Sequence, residues 1–477
     1  MTMNTRAFPV FILSVTTLVS AVWARSGGVA GQQSAAGAVT FSEHVAPILY
    51  ANCVSCHRAG EAAPFPLVTY EDAASRGKLL ATVTRSRYMP PWQAEAGHVE
   101  FAGERRLSDA QIAAIGQWVT RGMLEGDRSK LPPLPTFTDG WQLGQPDLII
   151  EMPTAFEVPA DGPDIYRNFA IPTGLTEDKF VRAIEFRPVA RKAVHHALFQ
   201  FARTGSTKEF EDPSGKPGFG GLAPIALLPG FAPSGELGGW AVGATPRFLP
   251  EGLALPLAKG SDFILQMHFH PTGKPELEKA RIGIYFADRA PDRKLMNWGA
   301  PGLFGLLAGI DIPPGEKNFS ITGTLAMKVD MRAISVTAHA HYLGKEIKAI
   351  ATFPDGTTKP LIWIKDWDFN WQDQYAFKEP VVLPKGTRID VQITYDNSAD
   401  NPRNPSNPPR RVQWGEESFD EMGNVRFQLV TVNKEDEAVL QQAMAGALKA
   451  ALSSAVQSGA LKKLMEAREK KRKAGGS

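Results

Sequence analysis

The sequence predicts a multidomain chain: a small all-α domain, then two all-β sandwich domains, then a C-terminal helix. Three observations carry this. Residues 39–128 hold helical spacing and two helix-start signatures. Residues 146–432 break into short runs of alternating apolar residues between Pro/Gly turns, without the long helical patterns of βαβ units. Beyond Asn433 the chain turns to Ala, Leu and Gln, with apolar residues at helical spacing. A length of 477 residues leaves room for several domains with large cores. Lys and Arg number 52 against 50 Asp and Glu, so the net charge of +2 gives no reason to expect a nucleic-acid partner. A mean hydropathy of −0.18 excludes a polytopic membrane protein. Two cysteines exclude a disulfide-stapled scaffold, and both lie in one short motif.

The first element, residues 1–24, reads as a secretory signal. Arg6 supplies the positive n-region and Phe8 to Trp23 the apolar stretch. Val22 and Ala24 are small residues at cleavage-compatible places, with Val29 and Ala30 as a later alternative. The other reading is an uncleaved N-terminal anchor, although the stretch is short and polar for a membrane span. A secretory signal places the chain outside the cytoplasm, periplasmic or secreted. Residues 25–38 are a Gly, Ala, Ser and Gln linker.

In the second element, Cys53, Cys56 and His57 form C-x-x-C-H. Two thiols at this spacing can bond the haem vinyl groups while the adjacent imidazole binds iron. A redox dithiol or half a zinc site is the alternative. No second cysteine pair completes a zinc site, and an export signal fits covalent haem attachment. Thr40 to Glu43 and Ser108 to Gln111 are capping-box patterns. Leu107 and Ile112 are placed as a hydrophobic staple on the second, and Ile112, Ile115 and Val119 give that helix an apolar face. Met89, on a loop stiffened by Pro90 and Pro91, is the candidate sixth ligand, ahead of Met123 and His98. His44 reads as a polar helix residue. Residues 39–128 resemble a class I cytochrome c domain, which implies a covalent haem c held by Cys53, Cys56, His57 and Met89.

Residues 129–145 are a Pro-rich linker. The β-rich region that follows carries three histidine pairs: His195 with His196, His268 with His270, and His339 with His341. His339 and His341 are i,i+2, so on a strand they share a face and can chelate one ion. His195 and His196 are adjacent, so joint binding of one ion requires a bulge or a strand end. Either His268 or His270 can complete that site. Imidazole suits copper, zinc, iron and nickel; a thioether such as Met422 tilts the choice to copper. Trp367, Phe369 and Trp371 alternate, which predicts one strand face, either sandwich core or the wall of an apolar pocket.

Taken in order, these pieces resemble the copper type II, ascorbate-dependent monooxygenases, the peptidylglycine α-hydroxylating and dopamine β-monooxygenase family. His195 and His196 match the vicinal pair of the electron-transfer copper, and His268 in LQMHFHP takes its third-ligand position. His339 and His341 in AHAHYLGK resemble the H-x-H of the catalytic copper, and Met422 in D-E-M its thioether. The resemblance spans residues 146–432. It implies two jelly-roll-like sandwiches, divided here at 310/311, each with one copper ion, facing across a water-filled cleft. It further implies C–H hydroxylation of a small organic substrate by dioxygen, with an electron donor such as an ascorbate-like reductant or a redox protein. The fused haem suggests a relay of electrons to the two coppers. A non-catalytic extracytoplasmic electron-transfer or copper-binding protein is the alternative. Three departures from the family stand out. This region has no cysteine, Thr337 stands where the peptide-amidating enzyme has an arginine, and Arg426 stands where it has a tyrosine, while Asn424 is kept. Thr337, Asn424 and Arg426 are thus the expected substrate-contact positions, for a substrate other than a peptidyl-glycine.

The last element, 433–477, predicts a helix with Val439, Met444, Leu448 and Leu452 on one face and a basic end, LKKLMEAREKKRK. That end reads as a solvated helix terminus or as a contact with an anionic membrane surface.

Overall fold

The structure, a computed structural model, describes residues 37–457 apart from 138–139, 213, 221–237, 307 and 416, together with 459, 462 and 466. The signal-peptide reading and most of the basic tail lie outside the described residues. Among the described residues no helix is long and apolar enough to cross a membrane. From Val39 onward the chain forms one unit that is mostly β-sheet.

Residues 41–120 carry short helices joined by irregular connections. Their helices are Ala46–Asn52, Tyr70–Ser75, Gly77–Arg85 and Asp109–Thr120, after a wide turn at Phe41–Val45. The Ser108 capping box is present: its hydroxyl accepts the Gln111 N–H while Gln111 Oε1 accepts the Ser108 N–H. The Thr40 box is not. His44 Nδ1 takes the Thr40 N–H at 3.2 Å, so the histidine does the work expected of Glu43. Thr69, not singled out from the sequence, makes a second complete box with Asp72. Phe41, Leu49, Leu80, Leu107, Ile115 and Trp118 are the centre of the helical core. Met123 belongs to this core. Its sulfur packs against Gly77. Met123 is thereby occupied in packing.

The helical segment is not self-contained. Ala94 and Phe101 form isolated bridges to Ile364 and Phe377, and both join the core of the second sandwich. Trp92 packs edge-on against Tyr375, and Phe101 stacks on Phe377. An apolar cluster therefore joins residues 92–101 to the second sandwich.

Two sheet pairs follow. In the first, one five-stranded sheet contains Leu148–Glu151, Arg281–Phe286, Lys179–Arg187, Leu253–Leu257 and Arg293–Lys294 in spatial order. The other contains Phe219–Gly220, Ile165–Pro172, Ser261–Phe269, Val194–Arg203 and Gly239–Ala241. Ile150, Val181 and Ile282 of one sheet share a core with Phe199, Phe263 and Leu265 of the other. In the second pair, Met296–Ala300, Gly423–Thr431, Met331–Ala340 and Gln374–Leu383 form one sheet. Phe319–Ala326, Arg388–Tyr395, Gly344–Thr352 and Thr358–Ile364 form the other. Val336, Phe427 and Leu429 meet Ile347, Val391 and Ile393 between them. These are sandwich-like layers built on period-two alternation. The strand Met296–Ala300 precedes residue 311 yet pairs with the second sandwich.

The C-terminal helix, Glu437–Gln457, is present, but its buried face differs from the expected one. Leu440 is fully buried and Met444 packs on the second core, whereas Val439 and Leu448 are exposed. Trp367, Phe369 and Trp371 are not on a strand; they lie in the connection between Thr358–Ile364 and Gln374–Leu383. Asp and Asn between the aromatics imitate strand alternation, but these side chains fold the connection on itself. Asp368 accepts the N–H of Asn370, and the Trp367 indole donates to the His341 carbonyl at 3.2 Å.

Candidate metal centres and the C-x-x-C-H segment

The first cluster depends on a backbone irregularity. Val194 pairs with Phe269 and His196 with His268, so His195 is an extra residue in the strand. Val194 and Ala197 both face the core, three positions apart where regular alternation would allow two. This bulge turns His195 and His196 to the same, outer face. On the partner strand Leu265, Met267 and Phe269 fill the core, so Gln266 and His268 face outward as well.

The three Nδ1 atoms converge: 3.1 Å from His195 to His268, 3.2 Å from His195 to His196, and 3.2 Å from His196 to His268. A point equidistant from all three lies about 1.8 Å from each, near the roughly 2.0–2.1 Å of an imidazole–metal bond. Three imidazoles so placed cannot satisfy one another by hydrogen bonding, because each neutral ring offers one lone pair or one N–H at that atom. His268 Nε2–H donates to Asp164 Oδ2 at 2.8 Å, which leaves the lone pair on its Nδ1. Burial pushes His195 down to about 3, and holds His196 and His268 below the usual histidine range. Neutral rings with aligned lone pairs are the metal-ligating form. His270, the other candidate third ligand, is instead exposed, and its Nδ1 bonds Asp164 Oδ1 at 2.8 Å.

The second cluster lies on the outer face of the Met331–Ala340 sheet. Val336, Ala338 and Ala340 face the core, which puts Thr337 and His339 on the opposite face. His339 Nδ1–H donates to Gln372 Oε1 at 2.6 Å, and His341 Nδ1–H to the Asp420 carbonyl at 3.1 Å. Both rings thus keep Nε2 free for an ion. They stand 5.1 Å apart at 89°. Burial pushes His339 down to about 4 and His341 well below its usual value. Ala340 pairs with Gly423, so continuing the register places Met422 beside His341. Met422 is buried, and its carbonyl accepts the Tyr395 hydroxyl at 2.9 Å. The intervening Glu421 carboxylate takes the N–H groups of His341 and Leu343 at 2.9 and 2.6 Å, tying the D-E-M turn to the H-x-H turn. Burial raises the Glu421 carboxyl to about 8.

Phe369 links the clusters. Its ring centroid lies 5.5 Å from His195, 5.9 Å from His268, 5.5 Å from His341 and 4.8 Å from Tyr342, and the residue is buried. A phenyl ring therefore stands between the clusters, where a water-filled cleft was expected. A polar bridge runs alongside. Tyr166 stacks on His268 at 4.3 Å and shares a 2.8 Å hydrogen bond with Ser418, whose hydroxyl donates to Asp164 at 3.1 Å. Burial opposes ionisation of Asp164, but bonds from His268 and His270 hold its carboxyl well below the usual carboxylate range.

The three expected substrate positions are grouped beside His339. Thr337 pairs with Arg426 and His339 with Asn424 on the neighbouring strand. The Arg426 guanidinium lies 5.2 Å over Phe304, whose ring meets His339 edge-on at 5.7 Å. Leu303 and Phe304 both adopt left-handed backbone, at φ 52°, a conformation that costs a non-glycine residue energy.

In the C-x-x-C-H segment, Cys53 ends the Ala46–Asn52 helix, and the N–H groups of Cys56 and His57 return to its carbonyl. Both thiols are free. Burial pushes the Cys53 thiol up to about 12 and raises that of Cys56. His57 Nδ1–H donates to the Phe65 carbonyl at 3.0 Å, leaving Nε2 as the ligating atom. Met89 is half-buried, and its N–H returns to the Val83 carbonyl. His98 is committed elsewhere, stacked on Trp363 at 5.6 Å.

Asp164, Tyr166, Gln372 and Ser418 were invisible in the sequence. Asp164, Tyr166 and Gln372 each touch a histidine far away in the chain, Ser418 reaches one through Asp164 and Tyr166, and none lies in a recognisable spacing. No protein-family model matches the chain, and no curated protein matches it. Among solved structures the chain is similar to the VP2 subviral particle of infectious bursal disease virus, at 10% identity over 62% of this chain and 74% of that one, with a TM-score of 0.16. It is also similar to the cowpea mosaic virus top component, at 6% identity over 58% and 94% with a TM-score of 0.26. A third likeness is the major capsid protein P2 of bacteriophage PM2, at 10% identity over 56% and 97% with a TM-score of 0.20. Likenesses at these scores say nothing about activity.

Proposed function

We propose that the chain is an extracytoplasmic, haem-coupled copper monooxygenase. It hydroxylates a C–H bond of a small organic substrate with dioxygen on two jelly-roll-like sandwiches, preceded by a cytochrome c domain. The observation that carries this reading is the pair of histidine clusters. Three Nδ1 lone pairs converge in one, and two Nε2 atoms beside a thioether residue are left free in the other. His195, His196 and His268 would hold one copper, and His339, His341 and Met422 the other. Cys53, Cys56, His57 and Met89 would hold haem c. When bound, these groups supply one-electron redox chemistry at each centre.

The chain's own residues do the rest. Asp164, Gln372 and the Asp420 carbonyl fix the tautomers of His268, His339 and His341, so that these three rings present their lone pairs without rearrangement. Phe369 keeps the space between the clusters apolar. Thr337, Asn424 and Arg426 stand beside His339, where they can orient a polar substrate. Hydroxylation joins one oxygen atom to the substrate and reduces the other to water, with two electrons and two protons supplied from a donor such as an ascorbate-like reductant or a redox protein.

The test is metal and haem analysis of protein expressed with its N-terminal segment in a periplasm, then an oxygen-uptake screen of substrates. One haem and two coppers per chain, two type 2 copper EPR signals and substrate-dependent oxygen uptake are expected. Zinc in both clusters, or absence of haem, overturns the reading. Two coppers without uptake for any substrate leave a non-catalytic copper-binding or electron-transfer protein.

A further inference from the structure

We infer that Tyr88 and Trp371 relay electrons from the haem attachment segment to the His339–His341 cluster. The inference rests on the function proposed above and adds the route. Tyr88 precedes Met89, the expected axial ligand, and its ring meets the Trp371 indole edge-on at 5.9 Å. The next residue, Gln372, accepts the His339 Nδ1–H at 2.6 Å. Two rings and one side-chain hydrogen bond therefore join the loop at Met89 to a ligand of the second cluster.

The contact is held in place from both sides. The Gln93 carboxamide donates to the Asp368 carbonyl at 3.0 Å and to the Trp371 carbonyl, and accepts the Asp368 N–H at 2.8 Å. Arg105 donates to the Pro91 carbonyl and pairs with Asp373, next to Gln372. These bonds fix the 88–93 loop on the 366–373 connection.

A second approach exists. Cys56 Sγ lies 3.9 Å from where a Cβ on residue 243 would stand, and Ala241 pairs with His196. From that contact the path runs only along the backbone of 241–243 and offers no ring. The Tyr88–Trp371 route ends on the imidazole itself. The step is a single electron transfer: ferrous haem iron becomes ferric and a cupric ion becomes cuprous, with no bond made or broken.

The experiment uses the haem- and copper-loaded full chain, oxidised and anaerobic, mixed with less than one equivalent of dithionite. The ferrous haem absorption then decays as the electron passes on. In Trp371→Leu the decay slows by about tenfold or more, equivalent to about 1.4 kcal/mol in an activation free energy. Trp371→Phe, which keeps a ring, recovers most of the rate. Haem band positions and copper content stay at wild-type values in both. Should Trp371→Leu lose haem or copper, Tyr88→Leu decides, because Tyr88 is 45% exposed and tolerates truncation. A decay in the leucine variants as fast as wild type overturns the relay and leaves the proposed function standing. A wild-type ferrous signal that persists overturns both.

Discussion

Asp164→Asn should weaken copper at one cluster more than at the other. The Asp164 carboxylate accepts His268 Nε2–H at 2.8 Å, His270 Nδ1–H at 2.8 Å and the Ser418 hydroxyl at 3.1 Å. The amide has the same shape, so packing is kept. Removing the negative charge lowers the basicity of His268 and frees its tautomer. Loss of such an outer partner costs about 10- to 100-fold in metal affinity, or roughly 1.4–2.7 kcal/mol. The His339–His341 cluster has its own orienting partners in Gln372 and the Asp420 carbonyl, so its affinity should fall less than that of the first cluster, Phe369 and the Ser418–Asp420 turn being the contacts the two have in common. The assay is a competition titration against graded chelators, with EPR resolving the two copper signals. Equal weakening of both signals, or of neither, would refute the assignment of Asp164 as the orienting group of the first site.

His270→Ala should leave copper content unchanged while His268→Ala loses one copper per chain, read by metal analysis; His270 is two-thirds exposed and outside the Nδ1 triangle. Phe369→Ala removes a buried ring packed on three imidazoles and should cost about 3–5 kcal/mol in denaturant unfolding of the metal-free chain; a loss below about 1 kcal/mol would contradict the packing described. Burial raises Glu278 from 4.5 to about 7, while it accepts the Val189 and Ala190 N–H groups. A raised carboxyl pKa means the folded state holds the extra proton. Its contribution is therefore complete below about pH 4.5 and lost as pH rises through about 7, by up to roughly 3 kcal/mol. Glu421, raised to about 8 by burial, adds a slope of the same sign, so unfolding midpoints should fall from about pH 4.5 to 8 and Glu278→Gln should make that fall shallower than in wild type.

Joint binding of one ion by the adjacent His195 and His196 required a bulge or a strand end, because period-two alternation cannot point neighbours the same way, and the ladder slips at that step. The i,i+2 spacing of His339 and His341 likewise placed two rings near each other. What the sequence could not show was set by long-range partners. Trp367, Phe369 and Trp371 alternate like a strand, yet they sit in a loop because Gln93, far away in the chain, binds its backbone. In place of the Thr40 box, the His44 imidazole one turn on accepts the Thr40 N–H. Leu440, not Val439, is buried because the helix is docked on the second core through Leu440 and Met444 rather than through the face its periodicity predicted. Asp164 had no local signature, since its role exists only once two strands and a turn from the other sandwich converge.

The shared core between the helical segment and the second sandwich bears on how this chain can be divided. Trp92 covers Tyr375, and Phe101 covers Phe377, while Arg105 reaches the Gly243 carbonyl of one sandwich and Asp373 of the other. A fragment beginning at residue 129 would shed that cover and bare an aromatic strip on the Gln374–Leu383 strand, at the edge of its sheet. Bared edge strands of this kind invite self-association. Expression trials that treat the two parts as exchangeable cassettes should therefore yield an aggregating C-terminal piece, and a joint that keeps residues 88–105 with the sheets should yield a soluble one.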